Sequence, residues 1–187
     1  VHTTGSVSYL KHLKVKNNNC QSGTGVITAN GNGTQFIYDC EIFNNISSGT
    51  CLRNFAANTY AESVYIHNNT AHSGVNTWHG SSSLEIKNSL IVNNDFDYRA
   101  LYTNSPTTFI INTTISNNIS PYGIYSKSVA DPKIINTIIS GNSEYNIYVE
   151  GGVVYIDYSI VEYGTNSIYT PYPGALQYGA YNIANTP

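Results

Sequence analysis

Apolar residues recur along this chain at intervals of 22 to 27 residues. Residues 110–118 read IINTTISNN, and residues 134–142 read IINTIISGN. If the last Asn of this segment is taken as an anchor, one apolar column lies three positions before it and another lies eight positions before it. The first column is Val15, Ile42, Ile66, Ile91, Ile115, Ile139 and Val161, and the second is Leu10, Ile37, Ala61, Ile86, Ile110, Ile134 and Ile156.

A third apolar segment follows each anchor, centred on Val26, Leu52, Val75, Leu101, Ile124, Ile147 and Ile168. Period-two alternation within each segment predicts three short strands per repeat. Equivalent strands carry matching residues, which favours parallel stacking of one coil on the next at about 4.8 Å. The pattern predicts an all-β, single-stranded parallel β-helix of about seven coils over residues 1–170. Residues 171–187 are predicted to be an irregular tail or the start of a further segment, the chain being part of a longer protein.

Asparagines occupy two further columns in phase with the apolar ones. The first is Asn88, Asn112 and Asn136, and the anchors of the same repeats are Asn94, Asn118 and Asn142. A sharp corner between strands favours the left-handed backbone region, which Asn tolerates. Stacked Asn side chains can also satisfy one another's buried amides. We therefore predict two asparagine ladders at the corners, beside a core column of Ile91, Ile115 and Ile139.

The segments IKNSLIVNN, IINTTISNN and IINTIISGN share the pattern I-x-N-[ST]-x-I-x-x-N. This pattern resembles the right-handed parallel β-helices of the pectate-lyase-like superfamily, and more narrowly the secreted β-helix modules of bacterial surface proteins. CEIFNN at 40–45 resembles the F-x-x-N repeats of polymorphic outer-membrane proteins. The resemblance implies a right-handed coil, as the crossover rule for parallel strands also favours, and a secreted or cell-surface protein. The superfamily includes lyases, hydrolases, adhesins and spike proteins, so it leaves the function open.

The amino-acid composition restricts the classes of partner that this chain can bind. The net charge is −3 and only 10% of residues are charged, which argues against nucleic acid, because nucleic acid needs a basic stripe. No stretch approaches the ~18 apolar residues of a membrane span, and no motif indicates a cofactor. Three cysteines are too few for a disulfide framework. They are predicted to be packed thiols, with a Cys20–Cys51 bridge as the alternative.

One outward position on the third strand carries tyrosine in four consecutive coils, and this strip is the candidate ligand-binding surface. Its predicted members are Ile27, Arg53, Asn76, Tyr102, Tyr125, Tyr148 and Tyr169, with Trp78 beside them. A tyrosine ladder can stabilise the sheet by ring stacking alone. The same amphipathic rings can also form a platform for sugar rings, with phenol hydroxyls that hydrogen-bond them. A contact between copies of the chain is the third alternative.

The segment NNDFDYRA holds the densest charge in the chain. Asp95 and Asp97 are weak calcium candidates, because two carboxylates alone are too few ligands. A solvated loop with a local Asp–Arg pair is the favoured interpretation. No catalytic residues are predicted: a glycoside hydrolase needs two carboxylates facing a cleft, Arg53 is the one base on the strip, and Lys127 has no evident acidic partner nearby in the sequence.

These observations predict a structural and adhesive extracellular rod that presents the tyrosine strip to glycans or stacks end to end with its own copies. The alternative is a lyase-like, polysaccharide-active enzyme whose catalytic residues lie largely outside this sequence.

Overall fold

The computed structural model describes residues 1–21 and 23–185 and shows a parallel β-helix of eight coils, in which three sheets run the length of the rod. Sheet A contains His2–Thr4, Asn19–Cys20, Gly25–Asn30, Ile46–Phe55, Thr70–Thr77, Asp95–Thr103, Tyr122–Ser126, Tyr145–Val149 and Ile168–Tyr169. Sheet B contains Val7–Lys11, Thr34–Tyr38, Asn58–Glu62, Ser83–Lys87, Thr107–Ile111, Lys133–Ile135, Val154–Asp157 and Leu176–Tyr178. Sheet C contains Lys14–Lys16, Glu41–Phe43, Tyr65–His67, Leu90–Val92, Thr114–Ser116, Ile138–Ser140, Ile160–Glu162 and Ile183–Asn185. A 3₁₀ turn, Gly164–Ser167, precedes the last strand of sheet A.

The predicted in-register stacking is confirmed. Ile66 pairs with Ile91, Ile91 with Ile115, and Ile115 with Ile139, all between parallel strands of sheet C. These four side chains are fully buried. Because each contributes about 1.5–3 kcal/mol relative to an exposed position, the isoleucine column is a continuous source of stability along the rod.

The sequence interpretation places the sheet A strand of the first repeat in the wrong register. Ile27, predicted to face outward, is fully buried and pairs with the core residue Leu52, while Thr28 pairs with Arg53. The first step of the repeat, from Asn18 to Asn45, is 27 residues long. The extra residues lie before Gly25–Asn30, which moves its pairing by one position. Thr28 rather than Ile27 therefore takes the position beside Arg53, while Val26 stays in the core as predicted.

The predicted corner geometry is present at Asn88, Asn112 and Asn136, whose φ angles are 51°, 50° and 49°. At the next corner the left-handed residue is the one before the anchor, such as Asn93 with φ 57° and Asn117 with φ 53°. The anchor itself therefore returns to an extended backbone. Its side chain turns into the rod, where it is buried.

The anchors form an asparagine ladder, which begins at the exposed Asn18 and is buried from Asn45 to Asn118. Asn18, Asn45, Asn69 and Asn94 each donate Nδ2–H to the Oδ1 of the next anchor, ending on Asn118, at 2.9 Å per bond. The prediction is wrong for Asn142, which donates instead to Asn146 Oδ1 in its own coil. Here sheet A resumes only at Tyr145, so Asn142 lies on a loop and finds a nearer acceptor.

The second asparagine ladder also exists but is exposed. Asn136 donates to Asn112 Oδ1 at 2.7 Å, and Asn112 donates to Asn88 Oδ1 at 3.1 Å. All three side chains face solvent, so their amides are not the buried groups that the prediction assumed. Water can replace these bonds, and this ladder contributes less stability than the buried one.

Residues 171–185 continue the solenoid. Leu176–Tyr178 pairs in parallel with the Val154–Asp157 strand, and Ile183–Asn185 pairs with Ile160–Glu162. The pattern is hard to see in the sequence because Pro171, Pro173 and Gly174 interrupt it. Thr186 and Pro187, which belonged to the predicted tail, lie outside the described residues.

Candidate functional site

Sheet A carries two rows of outward side chains because each of its strands bends between them. Row one follows the pairing Arg99–Tyr122–Tyr145, and row two follows Tyr102–Tyr125–Tyr148–Tyr169. Residues three apart, such as Arg99 and Tyr102, share the outer face, although strict alternation would separate them. Between them Ala100 and Leu101 are both fully buried, so the strand does not alternate strictly here. A register irregularity lies just before Arg99, between the pairs Ala71–Phe96 and Ser73–Arg99. We call the two rows, with Trp78 and Tyr98, the aromatic face.

In row two, the predicted strip, Tyr125, Tyr148 and Tyr169 form a stack of near-parallel rings, whereas Tyr102 is tilted 33° from Tyr125. Tyr148 and Tyr169 stack at 4.5 Å between centroids with planes 10° apart, and Tyr125 and Tyr148 stack at 5.0 Å and 21°. Rings stacked in this way cover each other's faces. A ligand over the middle of this row would therefore meet ring edges and hydroxyls rather than ring faces.

The first half of row two is not an exposed surface, although the sequence interpretation placed it outward. Tyr102 is 2% exposed and Tyr125 is 7% exposed. Trp78 packs on Tyr102 at 5.5 Å, and Tyr98 packs on Tyr125 at 5.5 Å. Because these neighbouring rings cover them, Tyr102 and Tyr125 support the face from below.

Arg99 lies beneath the rings and is only 5% exposed. Its guanidinium carbon is 4.0 Å from the Tyr102 ring centroid, 4.3 Å from that of Tyr98 and 5.5 Å from that of Tyr125. Burial lowers the pKa of Arg99, and the surrounding tyrosines oppose that shift. Such cation–π contacts are worth up to about 2 kcal/mol when desolvated, so Arg99 holds this part of the face together.

The predicted Asp–Arg pair in NNDFDYRA does not form. Asp95 and Asp97 remain exposed, and Arg99 takes part in no ion pair within residues 1–21 and 23–185. The bend in sheet A directs Arg99 onto the tyrosines instead. Within that same part of the chain, no three His, Cys, Asp or Glu side chains are grouped to hold a metal ion.

Lys127 and Glu150 form an ion pair beside row two, with Nζ 3.3 Å from Oε1. The expectation that Lys127 lacks an acidic partner is therefore wrong, since its partner lies one coil further on. The Tyr125 hydroxyl donates to the other oxygen of Glu150. This hydrogen bond, with help from Lys127, lowers the pKa of Glu150, while burial and the same bond raise the pKa of Tyr125.

Arg53 and Asn76 extend row two toward the first coils, as predicted. Asn76 pairs with Tyr102, and Arg53 pairs with Asn76. The Arg53 guanidinium lies 5.3 Å from the Phe55 ring. Asn76 is buried, and its Oδ1 has no hydrogen-bond partner among the described residues. Arg53 is partly exposed and takes part in no ion pair in that part of the chain, so its positive charge lies unpaired at the far end of row two.

The accessible rings lie at the two ends of the aromatic face. Trp78 is 49% exposed at one end and Tyr169 is 37% exposed at the other. Between them Tyr122, Tyr145 and Tyr148 are partly exposed. The ring centroids of Tyr122 and Tyr145 are 6.5 Å apart, and the two ring planes differ by 21°. Each plane is turned about 60° from that of its neighbour in row two, Tyr125 or Tyr148. The two rings are therefore near-parallel but less closely stacked than the rings of row two.

The sequence interpretation missed row one and Glu150. It assumed strict alternation along the strand, which gives one outward position where the bend gives two. The sequence signal that could have revealed row one and Glu150 is the spacing between successive coils. Tyr122 and Tyr145 are 23 residues apart, as are Tyr125 and Tyr148, and Lys127 and Glu150.

A second polar cluster, also missed, lies on sheet C. Glu41 bonds both His67 Nε2 and Lys14 Nζ at 3.0 Å. The His67 ring lies between Tyr65 at 3.9 Å and Phe43 at 5.1 Å. The bond to His67, followed by that to Lys14, lowers the pKa of Glu41. The cluster ties together three consecutive coils.

The cysteines are free thiols, so the alternative Cys20–Cys51 bridge is not formed. Cys51 is fully buried, and this burial raises the pKa of its thiol. In the described part of the chain, no helix has the length and apolar character needed to cross a membrane. Comparison of the chain with protein-family models, with curated proteins and with solved structures gives no match.

Proposed function

We propose that this protein is a non-catalytic structural and adhesive rod of the cell exterior, whose aromatic face binds glycans. The observation that carries the proposal is the row-one pair Tyr122 and Tyr145. These rings are partly exposed and turned away from the stacked row beside them. The rings of row two stack at 4.5 to 5.0 Å, whereas Tyr122 and Tyr145 are 6.5 Å apart. Row one therefore adds less to the stability of the sheet, and stabilisation alone accounts for it less well.

The chemistry of this surface suits a sugar. A tyrosine ring offers an apolar face to the C–H groups of a pyranose, and its hydroxyl can donate to or accept from a sugar hydroxyl. The rings around Tyr145, Tyr148 and Tyr169 lie 4.5 to 6.0 Å apart, so one ligand can contact several of them at once. The rigid β-helix holds them in place, which reduces the entropy lost on binding.

The resemblance of the repeats to secreted bacterial β-helix modules supports the exterior location. Labelling of intact cells that produce the protein, with an antibody against it, tests this location. A protein inside the cell would be stained only after permeabilisation.

The binding proposal is tested by affinity electrophoresis in gels that contain soluble polysaccharides, with Tyr145→Ala and Tyr169→Ala as variants. Tyr155→Ala on sheet B is the matched control, because Tyr155 and Tyr169 are both 37% exposed. We expect the two variants on the aromatic face to lose about tenfold in affinity, which corresponds to roughly 1.4 kcal/mol. The control should bind as the wild type does.

Equal losses in all three variants, or no retardation by any polysaccharide, would refute the proposal. Melting temperatures of the variants are compared first, so that a loss of binding is not a loss of fold. Light scattering over a range of protein concentrations detects the competing outcome, in which the aromatic face joins two copies of the chain.

A further inference from the structure

The carboxylates around the aromatic face are accessible to a ligand, whereas the positively charged groups closest to them are either buried or paired. The carboxylates of Asp97, Glu144 and Glu150 are all exposed. Of the two cations close to them, Arg99 is buried under the rings, and Lys127 and Glu150 balance each other in an ion pair. Asp97 and Glu144 take part in no ion pair within the described residues. A ligand that approaches the face near Tyr98 and Tyr122 therefore meets two unpaired carboxylates, because the unpaired Arg53 lies further along row two, beyond Asn76.

Glu144 and Glu150 interact with rings of the face, and Asp97 directly precedes Tyr98 in the chain. Burial raises the pKa of Tyr122, and the neighbouring Glu144 raises it further through its charge and a hydrogen bond. Glu150 accepts from the Tyr125 hydroxyl. Asp97 acts on His72, whose ring stacks on Tyr98 at 5.6 Å. The negative charges thus border the same surface that the accessible tyrosines form.

From this arrangement we infer that the aromatic face selects uncharged glycans and discriminates against polyuronates and sulfated glycans. The inference rests on the proposed glycan-binding function and names the class of glycan. Like charges brought together at an interface disfavour the wrong partner. A carboxylate in the same place accepts strong hydrogen bonds from the hydroxyls of a neutral sugar.

Arg99 does not reverse this preference. Its contacts with Tyr98, Tyr102 and Tyr125 occupy the faces of the guanidinium. An anionic sugar could reach it only by displacing Tyr98, which covers Tyr125 as well. The buried cation therefore stabilises the rings and leaves the outer surface negative.

The test compares neutral polysaccharides, a β-glucan and a galactomannan, with polygalacturonate and a sulfated galactan. Affinities are measured at low salt and at ~0.3 M salt, where screening shortens the reach of surface charges to less than about 8 Å. We expect at least one neutral glycan to bind about tenfold or more tightly than either polyanion at low salt. The difference should narrow at high salt, because only the polyanions are repelled.

Charge-removing variants provide a second measurement. Asp97→Asn combined with Glu144→Gln should raise the affinity for polygalacturonate by about threefold or more at low salt. Asp39→Asn, at an exposed corner after a strand of sheet B, is the control and should leave the affinity for polygalacturonate unchanged. Both targeted side chains are exposed, so the double variant should melt as the wild type does.

The possible results separate the two proposals. Binding of polygalacturonate or the sulfated galactan at low salt as tightly as any neutral glycan, with dependence on Tyr145, would overturn the selectivity and leave glycan binding intact. Failure of both glycan classes to bind would overturn both proposals together.

Discussion

Replacement of Asn94 by alanine tests the buried asparagine ladder most directly. Asn94 is 2% exposed. Its Oδ1 accepts from the backbone N–H of Asn69 at 3.0 Å and from Asn69 Nδ2 at 2.9 Å. Its own Nδ2 lies 2.9 Å from Asn118 Oδ1 and 3.0 Å from the carbonyl oxygens of Ile66 and Val92. One side chain thus links three coils.

The size of the effect follows from the groups left without a partner. In Asn94→Ala, the buried Asn69 N–H loses its acceptor, and the Ile66 carbonyl loses a donor. Each such group costs about 1–3 kcal/mol when it stays buried without a partner. Allowing for some entry of water at the corner, we expect a loss of about 2–4 kcal/mol in the free energy of unfolding.

Urea unfolding followed by circular dichroism measures this loss, and Asn112→Gly is the matched control. Asn112 also belongs to a ladder of carboxamides, but it is exposed, and glycine adopts its φ of 50° without strain, so this replacement should change stability by less than about 0.5 kcal/mol. Amide hydrogen exchange at Asn69 should accelerate in the Asn94 variant alone. Equal stability of the two variants would refute the argument that burial, rather than stacking as such, gives the ladder its strength.

Three further predictions concern other parts of the rod. Ile115→Asp places an unpaired charge in a fully buried position and should unfold the neighbouring coils, seen as loss of the β-sheet signal and rapid proteolysis; a folded variant would contradict the core assignment. Gly74→Ala should cost about 1–3 kcal/mol in chemical denaturation, because its Cβ would clash with the next coil, whereas Gly80→Ala, with open space around it, should be neutral. The lowered pKa of Glu41 means that its contribution to stability is complete above the unfolded pKa of about 4.5 and is lost as pH falls. Melting temperatures from pH 6 down to pH 3 should therefore fall less steeply in Glu41→Gln than in the wild type, and identical slopes would exclude this role.

The repeat and its stacking were predictable because one physical rule governs them: identical side chains pack best over identical side chains. The pairing of Ile91 with Ile115 and Ile139 follows from the spacing alone. The rule fails where coil length changes. The 27-residue first step misplaced Ile27, and the loop before Tyr145 removed Asn142 from the ladder.

The candidate site was less predictable than the fold. Row two was found because Tyr102 and Tyr125 obey alternation in their strands, yet their burial depends on Trp78 and Tyr98 folding over them. No local pattern encodes that packing. The position of the Arg99 side chain likewise depends on a backbone bend. The bend places the guanidinium on the rings of Tyr102 in the same coil and Tyr125 in the next coil, rather than beside Asp97.

The buried asparagine ladder also has a direction. From Asn18 to Asn94, each carboxamide donates toward the following coil, and from Asn45 to Asn118, each donates backward to a carbonyl of the preceding coil. Each coil from Asn45 to Asn94 therefore presents an Nδ2 donor to the anchor of the following coil and an Oδ1 acceptor to the anchor of the preceding coil. Duplication of one complete coil of 24 or 25 residues would preserve all these hydrogen bonds. A partial insertion would instead shift the asparagines out of register and leave carboxamides at the junction without their partners. The length of such a rod is thus free to vary during evolution only in whole turns.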